Sequence, residues 1–531
     1  MNGQCDRRDF LGLLGAGAAG AALGGRALGQ AAPAARKPNI LIVVSDDQGW
    51  GDCGFLGGRQ IPTPNQDAIA AGGVKFTDAY SVSLASSPAR AALFTGRYPQ
   101  RFGHEFNPDP PGESGAEDCG LADDQITLPQ ILKKAGYATG LVGKWHLGYS
   151  PDFHPLKRGF DMFFGFLGGM HSYTDCLLKP NDANPIMRGT EAVEEKEYLT
   201  DAFTREAVAF MTAKKDSPFL LCLCYNAPNW PMEATPDQMT PFKRLGDERR
   251  QAYAARLWAL DTGLGRVLST LKDNDLERDT LVFYLSDNGG HPFNGASNGV
   301  LKGQRGTAYE GGLRVPMALR WPAQVPAGRT FSDPVITCDV FATAVAAAGA
   351  TMPTDRPMDG VNLLPFVTRV QPKKPHQRLY WCYGGVRAVR EGDWKLIHPV
   401  TGKVEMFNLS TDADENKNRY NDQRKRAQEM IAAWESWNGE LAEAEWGGPE
   451  DDGDETVVIE HPSQNTQGPQ VGLKPLPGGG PNMGPGGQRP QQHPQQRPQQ
   501  RPQQRPPQRP PQRQPGRPPQ RNPRQPAPRR R

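Results

Sequence analysis

The 531-residue sequence is poor in several things, and each shortage excludes a class. Its composition does not fit a collagen-like or coiled-coil chain, and it holds no apolar stretch of the roughly twenty residues that a membrane span requires. Cysteine is scarce, with eight in all. Cys5 lies in the N-terminal segment. The other seven are scattered, odd in number and lack the paired spacing of zinc ligands, so neither a disulfide framework nor a zinc centre is expected. Cys222 and Cys224 sit in an apolar run and read as strand residues. An excess of one charge is also missing, with 61 Lys+Arg against 58 Asp+Glu. That balance has a local origin. From Pro481 to Arg531 there is no Lys, Asp or Glu but there are 12 Arg, so the preceding 480 residues carry a net charge of −9. The same 51 residues hold 16 Pro and 14 Gln, too little apolar surface to offset the entropy of ordering, and disorder is expected there.

Near the start, Arg7-Arg8-Asp9-Phe10-Leu11 precedes an apolar Gly/Ala-rich run from Leu13 to Leu23. The order of charged, apolar and small residues is that of an export signal, and the arginine pair resembles the twin-arginine type. The expected organisation is a signal at 1–30, a large domain at 31–370, a smaller one at 371–446, and an acidic linker with the basic tail at 447–531. A periplasmic or extracellular protein follows, not an integral membrane protein once the signal is cleaved, and with no nucleic acid partner expected. The Gln-Arg-Pro tail would tether it to polyanions.

Short runs rich in Val, Ile, Leu and aromatics (39–44, 138–142, 219–225, 280–285) alternate with helical patterns at 128–135, 200–214 and 249–274. This predicts an α/β fold with a mixed, mostly parallel sheet flanked by helices. From Leu379 the pattern becomes short strands and turns, predicting a C-terminal antiparallel sheet with one helix over 422–442.

The polar clusters fall where open α/β sheets place ligands, past the carboxyl ends of strands. One strand leads into Asp46-Asp47 and another into Asp287-Asn288. Two such pairs make an oxygen-only donor set suited to Ca²⁺, with Mg²⁺ as the other candidate. The 138–142 strand leads to Lys144 and His146, which share a direction if strand geometry continues. At Ser86-Ser87-Pro88-Ala89-Arg90, Pro88 fits a first helical position and Gly96 a C-cap. Ser86 then lies at a helix N-terminus, which favours a developing anion, with Arg90 one turn on.

These residues resemble the sulfatase signature, (Cys/Ser)-x-Pro-x-Arg followed by Thr95-Gly96-Arg97. Further blocks match in order: Asp46-Asp47, Gly143-Lys144-Trp145-His146, Asp287-Asn288-Gly289 and Glu310-Gly311-Gly312-Leu313-Arg314. The resemblance spans about Lys37 to Asn416. It implies an alkaline-phosphatase-like fold, with 31–370 as the catalytic domain of a calcium-dependent sulfuric ester hydrolase acting on sulfated carbohydrate or aryl sulfate esters. It also implies that a serine-type maturase converts Ser86 to formylglycine. One hydroxyl of the hydrated aldehyde attacks sulfur and expels the alcohol; the other then loses its proton as the aldehyde reforms and sulfate leaves. By family position Asp46, Asp47, Asp287 and Asn288 hold the metal, and Arg90, Lys144 and His146 position and activate the diol.

Two departures from the family pattern concern the substrate contacts. Asn229 stands where His is usual and Arg305 where Lys is usual, with Lys302 able to substitute if it swings in. Neither Asn nor Arg gives up a proton at working pH. Besides hydrolysis, two alternatives follow: a catalytically degenerate sulfatase-fold protein that binds sulfated glycans, or a phosphoric or phosphonic ester hydrolase using unmodified Ser86.

Overall fold

A computed structural model describes residues 37–447, apart from 112–114, 116–117, 180–181 and 369–372. The expected signal at 1–30, the tail from 448 onward and the boundary at 370/371 lie outside the described residues.

The strand Asn39–Ser45 is buried along its whole length because it is apolar on both faces. Ile40, Ile42 and Val44 point into one hydrophobic cluster, Leu41 and Val43 into another. On the first face they meet the helices Ser86–Thr95, Leu128–Lys134 and Cys338–Ala347. On the second they meet Leu199–Ala213 and Glu248–Asp273. Helix Leu199–Ala213 shows why: Leu199, Phe203, Ala207, Phe210 and Met211 fall on one stripe at helical spacing and are all buried. Each fully buried Leu, Ile or Phe contributes about 1.5–3 kcal/mol relative to exposure, so the two faces hold the sheet as a sandwiched layer.

Ten strands form this sheet, in the order Arg329–Phe331, Val74–Phe76, Met317–Arg320, Thr280–Ser286, Asn39–Ser45, Phe219–Cys224, Ala138–Lys144, Met162–Phe166, Met187–Arg188 and Glu191–Ala192. The central five are mutually parallel. Met317–Arg320 runs antiparallel to both of its neighbours, and the last two strands pair antiparallel. The four expected strands are therefore the middle of a larger mixed sheet. The pairing Ser45↔Ser286 puts the carboxyl ends of two neighbouring strands level, so the loops after them emerge side by side.

The C-terminal sheet has four antiparallel strands, Arg378–Tyr383, Val386–Glu391, Trp394–Ile397 and Glu405–Asn408, covered by the helix Arg424–Asn438. That helix is shorter at both ends than the 422–442 expected. Trp381, Trp434 and Trp437 pack with Tyr80, Val82 and Leu84 of the core in one cluster. All seven described cysteines are buried and none forms a disulfide among the described residues, and Cys222 and Cys224 are strand residues as expected. No helix among the described residues is long and apolar enough to cross a membrane.

Candidate active site

The level strand ends bring Asp46, Asp47 and Asp287 together. One carboxylate oxygen from each lies within 4.8 Å of the others, and all three residues are buried. Asn288 closes the group, its Nδ2 donating to Asp47 Oδ1 at 2.6 Å. Backbone contact sets this loop: a Cβ on Gly289 would lie 2.0 Å from the carbonyl oxygen of Gly311, so only glycine fits where the Asp287–Gly289 turn meets the Glu310–Leu313 segment.

The Ser86–Thr95 helix starts two residues ahead of the expected Pro88 start, with Ala85 as N-cap. Pro88 takes the third helical position, where its missing N–H is tolerated because the first four amides have no partner within the helix. Gly96 ends the helix at φ 70, as expected. Ser86 is thus the first helical residue and fully buried. Its Oγ donates to Asn288 Oδ1 at 2.9 Å and lies 3.4 Å from Asp46 Oδ1, so hydroxyl and carboxylates share one space.

Three cations face the three carboxylates. Arg90 donates Nε and Nη2 to Asp287 Oδ2 at 3.1 and 2.9 Å and Nη1 to the Lys144 carbonyl at 3.1 Å. Its fork is engaged by Asp287. Lys144 Nζ bonds Asp46 Oδ2 at 2.7 Å with both side chains buried, and Arg305 Nη1 lies 3.4 Å from Asp47 Oδ2. Burial pushes the Asp46 carboxyl up to about 7, with Asp287 adding to the rise and Lys144 opposing it. Burial likewise raises Asp47 against the pull of Arg305. At Asp287 burial acts upward too, but Arg90 and Lys144 outweigh it and hold the carboxyl below its usual range.

Lys144 and His146 both reach this region, but not through strand alternation. The strand ends at Lys144, and His146 adopts φ 60, a left-handed conformation that redirects its side chain. Burial, with Lys144, Arg90 and Arg305 nearby, drives the imidazole well below its ordinary pKa and keeps it neutral. Its Nδ1 is buried without a hydrogen-bond partner.

The two departures from the family pattern also lie here. Asn229 Oδ1 accepts from Asn294 Nδ2 at 2.9 Å, and the same Nδ2 lies 3.3 Å from Asp47 Oδ2. Asn294 was not expected; it follows an unremarked His-Pro-Phe turn, and only the fold carries it to Asp47. Lys302 is not brought in. Its Nζ sits 4.1 Å from the centroid of the Tyr309 ring and donates to the Glu415 carbonyl, because two aromatic rings and a carbonyl offer the ammonium a better site. Of the two basic candidates on this loop, Arg305 alone reaches the carboxylates.

A doubly flanked, mostly parallel sheet with a cluster of three carboxylates that could hold a cation, beside a serine at a helix N-terminus, defines an alkaline-phosphatase-like hydrolase. Residues 38–350 match the family model Sulfatase, and residues 304–436 match N-sulphoglucosamine sulphohydrolase, C-terminal. The chain belongs to the sulfatase family of sulfuric ester hydrolases. It is 38% identical over 358 residues to N-acetylgalactosamine-6-sulfatase of Homo sapiens, covering 63% of this chain and 66% of that protein. With steryl-sulfatase of Homo sapiens identity is 31% over 446 residues, covering 67% and 74%. The chain thus spans about two thirds to three quarters of the length of these relatives. Ps i-CgsB in complex with k-i-k-neocarrahexaose is similar in structure, with TM-score 0.74 and 36% identity over 79% of this chain and 96% of that one. Phosphonate monoester hydrolase of Agrobacterium radiobacter, at TM-score 0.56 and 19% identity, shares the fold alone.

Proposed function

We propose that this sulfatase releases inorganic sulfate from sulfated carbohydrates, with Ser86 matured to formylglycine beside a calcium ion held by Asp46, Asp47, Asp287 and Asn288. The observation that carries this reading is the position of Ser86 Oγ, 3.4 Å from Asp46 Oδ1 and 2.9 Å from Asn288 Oδ1, beside the cluster of three carboxylates.

The residues fit a hard divalent cation. The donors are all oxygens, as calcium prefers, and three buried carboxylates this close repel one another until a cation joins them. Arg90, Lys144 and Arg305 already balance Asp46, Asp47 and Asp287 charge for charge, so a bound divalent ion leaves a surplus of two positive charges. That surplus favours an anionic sulfate ester and the charge that grows as its S–O bond breaks. Formylglycine, once hydrated, supplies a nucleophilic hydroxyl and a second hydroxyl whose deprotonation frees the sulfate.

The chain's own residues do the rest. The helix N-terminus at Ser86 lends amide dipoles to the developing oxyanion. Lys144, beside Asp46, and Arg305, beside Asp47, would face the sulfate oxygens. His146, neutral and with Nδ1 unpaired, would be the group to accept a proton from the hydrated formylglycine. Because Ser86 is fully buried, the maturase must act on it before the chain folds. The N-acetylgalactosamine-6-sulfatase relatives and the neocarrahexaose complex support a sulfated carbohydrate as the substrate.

Mass analysis of the Ser86 peptide from the native host, paired with sulfate release from sulfated oligosaccharides, tests this reading. Loss of two hydrogens at Ser86 with measurable release is expected; unmodified serine in active protein would sink the formylglycine mechanism.

A further inference from the structure

Directly outside the charge cluster, the neighbours of its two asparagines are aromatic. Trp230 follows Asn229 and Phe293 precedes Asn294. Their ring centroids are 5.6 Å apart with planes tilted by 32°, an offset pair that leaves one continuous apolar surface. Phe293 is 53% exposed and Trp230 half-buried, so the surface is turned to solvent. Lone exposed apolar residues are ordinary on proteins, but two adjoining rings left open beside a reaction centre form an apolar patch that a ligand can cover.

The pair is fixed to the site from beneath. The Trp230 amide donates to Asn229 Oδ1 at 2.6 Å, and the Phe293 amide to His291 Nδ1 at 3.0 Å. Asn294 joins Asn229 to Asp47. The rings therefore hold a set distance from the proposed metal ligands. On the far side, exposed Arg249 lays its guanidinium 5.5 Å from the Phe293 centroid, and no carboxylate pairs with it among the described residues. The ring pair thus adjoins the site through Asn229 and Asn294, and Arg249 adjoins the ring of Phe293.

We propose that Trp230, Phe293 and Arg249 form a saccharide subsite. The two rings take the C–H face of the sugar next to the one bearing the scissile sulfate, and Arg249 takes an anionic substituent of that neighbouring sugar. This rests on the sulfated-carbohydrate reading above. Pyranose C–H faces are apolar and flat enough to lie on aromatic rings, and the ring-bound guanidinium is held ready for a sulfate without needing to shed a partner.

The test is calorimetric binding to the full chain carrying plain serine at position 86, which prevents turnover. The probes are k-i-k-neocarrahexaose and an N-acetylgalactosamine 6-sulfate hexasaccharide, with the tighter binder carried forward alongside its desulfated form. Phe293→Ala and Trp230→Ala are each expected to raise Kd at least tenfold at an unchanged thermal midpoint. Phe293→Tyr should stay within about threefold of the parent, and Arg249→Gln should weaken the sulfated probe more than the desulfated one. Parent-like binding by both alanine variants overturns the subsite, as does failure of both probes to bind the parent. Failure of Phe293→Tyr to rescue overturns it too. Sulfate release by matured enzyme is scored separately. Ring-dependent binding without release removes the catalytic reading and keeps the subsite, whereas release with ring-independent binding does the reverse.

Discussion

Two of the buried charge clusters among the described residues arrange their carboxylates differently. Where the C-terminal sheet meets the core, fully buried Lys395 bonds Glu310 Oε1 at 2.9 Å and Glu415 Oε1 at 3.0 Å. Glu310 Oε2 accepts from Tyr80 at 2.7 Å and from Arg314 at 3.3 Å, and Asp78 pairs with Arg314 and Arg390. Burial acts on Glu310 as it does on Asp46, yet Lys395, Arg314 and Arg390 outweigh it and hold the carboxyl at about 2. In the active site the same forces leave Asp46 near 7. At the interface one cation, Lys395, lies between Glu310 and Glu415, and Arg314 and Arg390 add to it around Glu310 and Asp78. In the site, three carboxylates each have a cation beside them but also converge, one oxygen from each within 4.8 Å of the others, a geometry that the interface carboxylates do not share and that could hold a metal ion.

Ser86→Ala and Lys395→Met give the largest contrast. Ser86→Ala removes the attacking oxygen and should lower sulfate release by at least about 10³-fold, with stability changed by no more than roughly 1 kcal/mol. Lys395→Met leaves Glu310 and Glu415 buried without their shared cation. It should cost about 3–5 kcal/mol in denaturant unfolding while release per folded molecule persists. If Lys395→Met is as stable as the parent, the interface cluster is not the fastening described here.

Calcium removal should separate the clusters a second way. A chelator should abolish release and lower stability by about 2.7 kcal/mol relative to free calcium at a hundred times its Kd. In the Lys395→Met background that decrement should be unchanged, because the clusters share no residue. Thermal midpoints of the four states provide the measurement.

The difference between the clusters also explains what could be read from the sequence. Asp46-Asp47 and Asp287-Asn288 were legible because each directly ends an apolar run, and strand ends are where α/β sheets present ligands. Ser86, Arg90 and Lys144 lie within short motifs of their own. Asn294 was not legible, because its approach to Asp47 spans 247 residues and is decided by a short turn. The fate of Lys302 depended on the rings of Tyr309 and Phe407, the second of which arrives from the C-terminal sheet. The helix start was misplaced for a local reason: Pro88 suits the first turn as a whole, and Ala85 offers no capping side chain to mark the boundary. The Glu310–Lys395–Glu415 network was hidden for the same reason as Asn294, its members meeting only through the fold.

A smaller effect should appear in the pH dependence of the interface. Burial, reinforced by Glu310 and opposed by Lys395, raises the Glu415 carboxyl from 4.5 to about 7. A carboxyl whose folded pKa exceeds its unfolded one binds more protons in the native state, so its contribution is present below about 4.5 and is lost as pH rises to about 7. The loss should amount to roughly 3 kcal/mol at most across that window. Glu310 acts in the opposite sense and lower down, its stabilisation lost as pH falls from 4.5 toward 2. Glu415→Gln should flatten the decline between pH 4.5 and 7 while leaving the acid limb in place. An unflattened curve in urea titrations at several pH values would assign the decline elsewhere.

The smallest expected change tests the site where it departs from its family. Asn229 accepts from Asn294 and cannot supply a proton, and Arg305 stays charged beside Asp47. With neither able to protonate the departing oxygen, the rate should depend steeply on how well the leaving group bears negative charge. Asn229→His places a titratable ring at that position and should help poor leaving groups most. An increase of about tenfold in kcat/KM, equivalent to about 1.4 kcal/mol, is expected for a sugar sulfate, against less than about twofold for a nitrophenyl sulfate. The comparison is internal to one variant, so a general loss of folding lowers both rates and cannot mimic it. Equal effects on the two esters would show that proton supply at Asn229 is not what this site lacks.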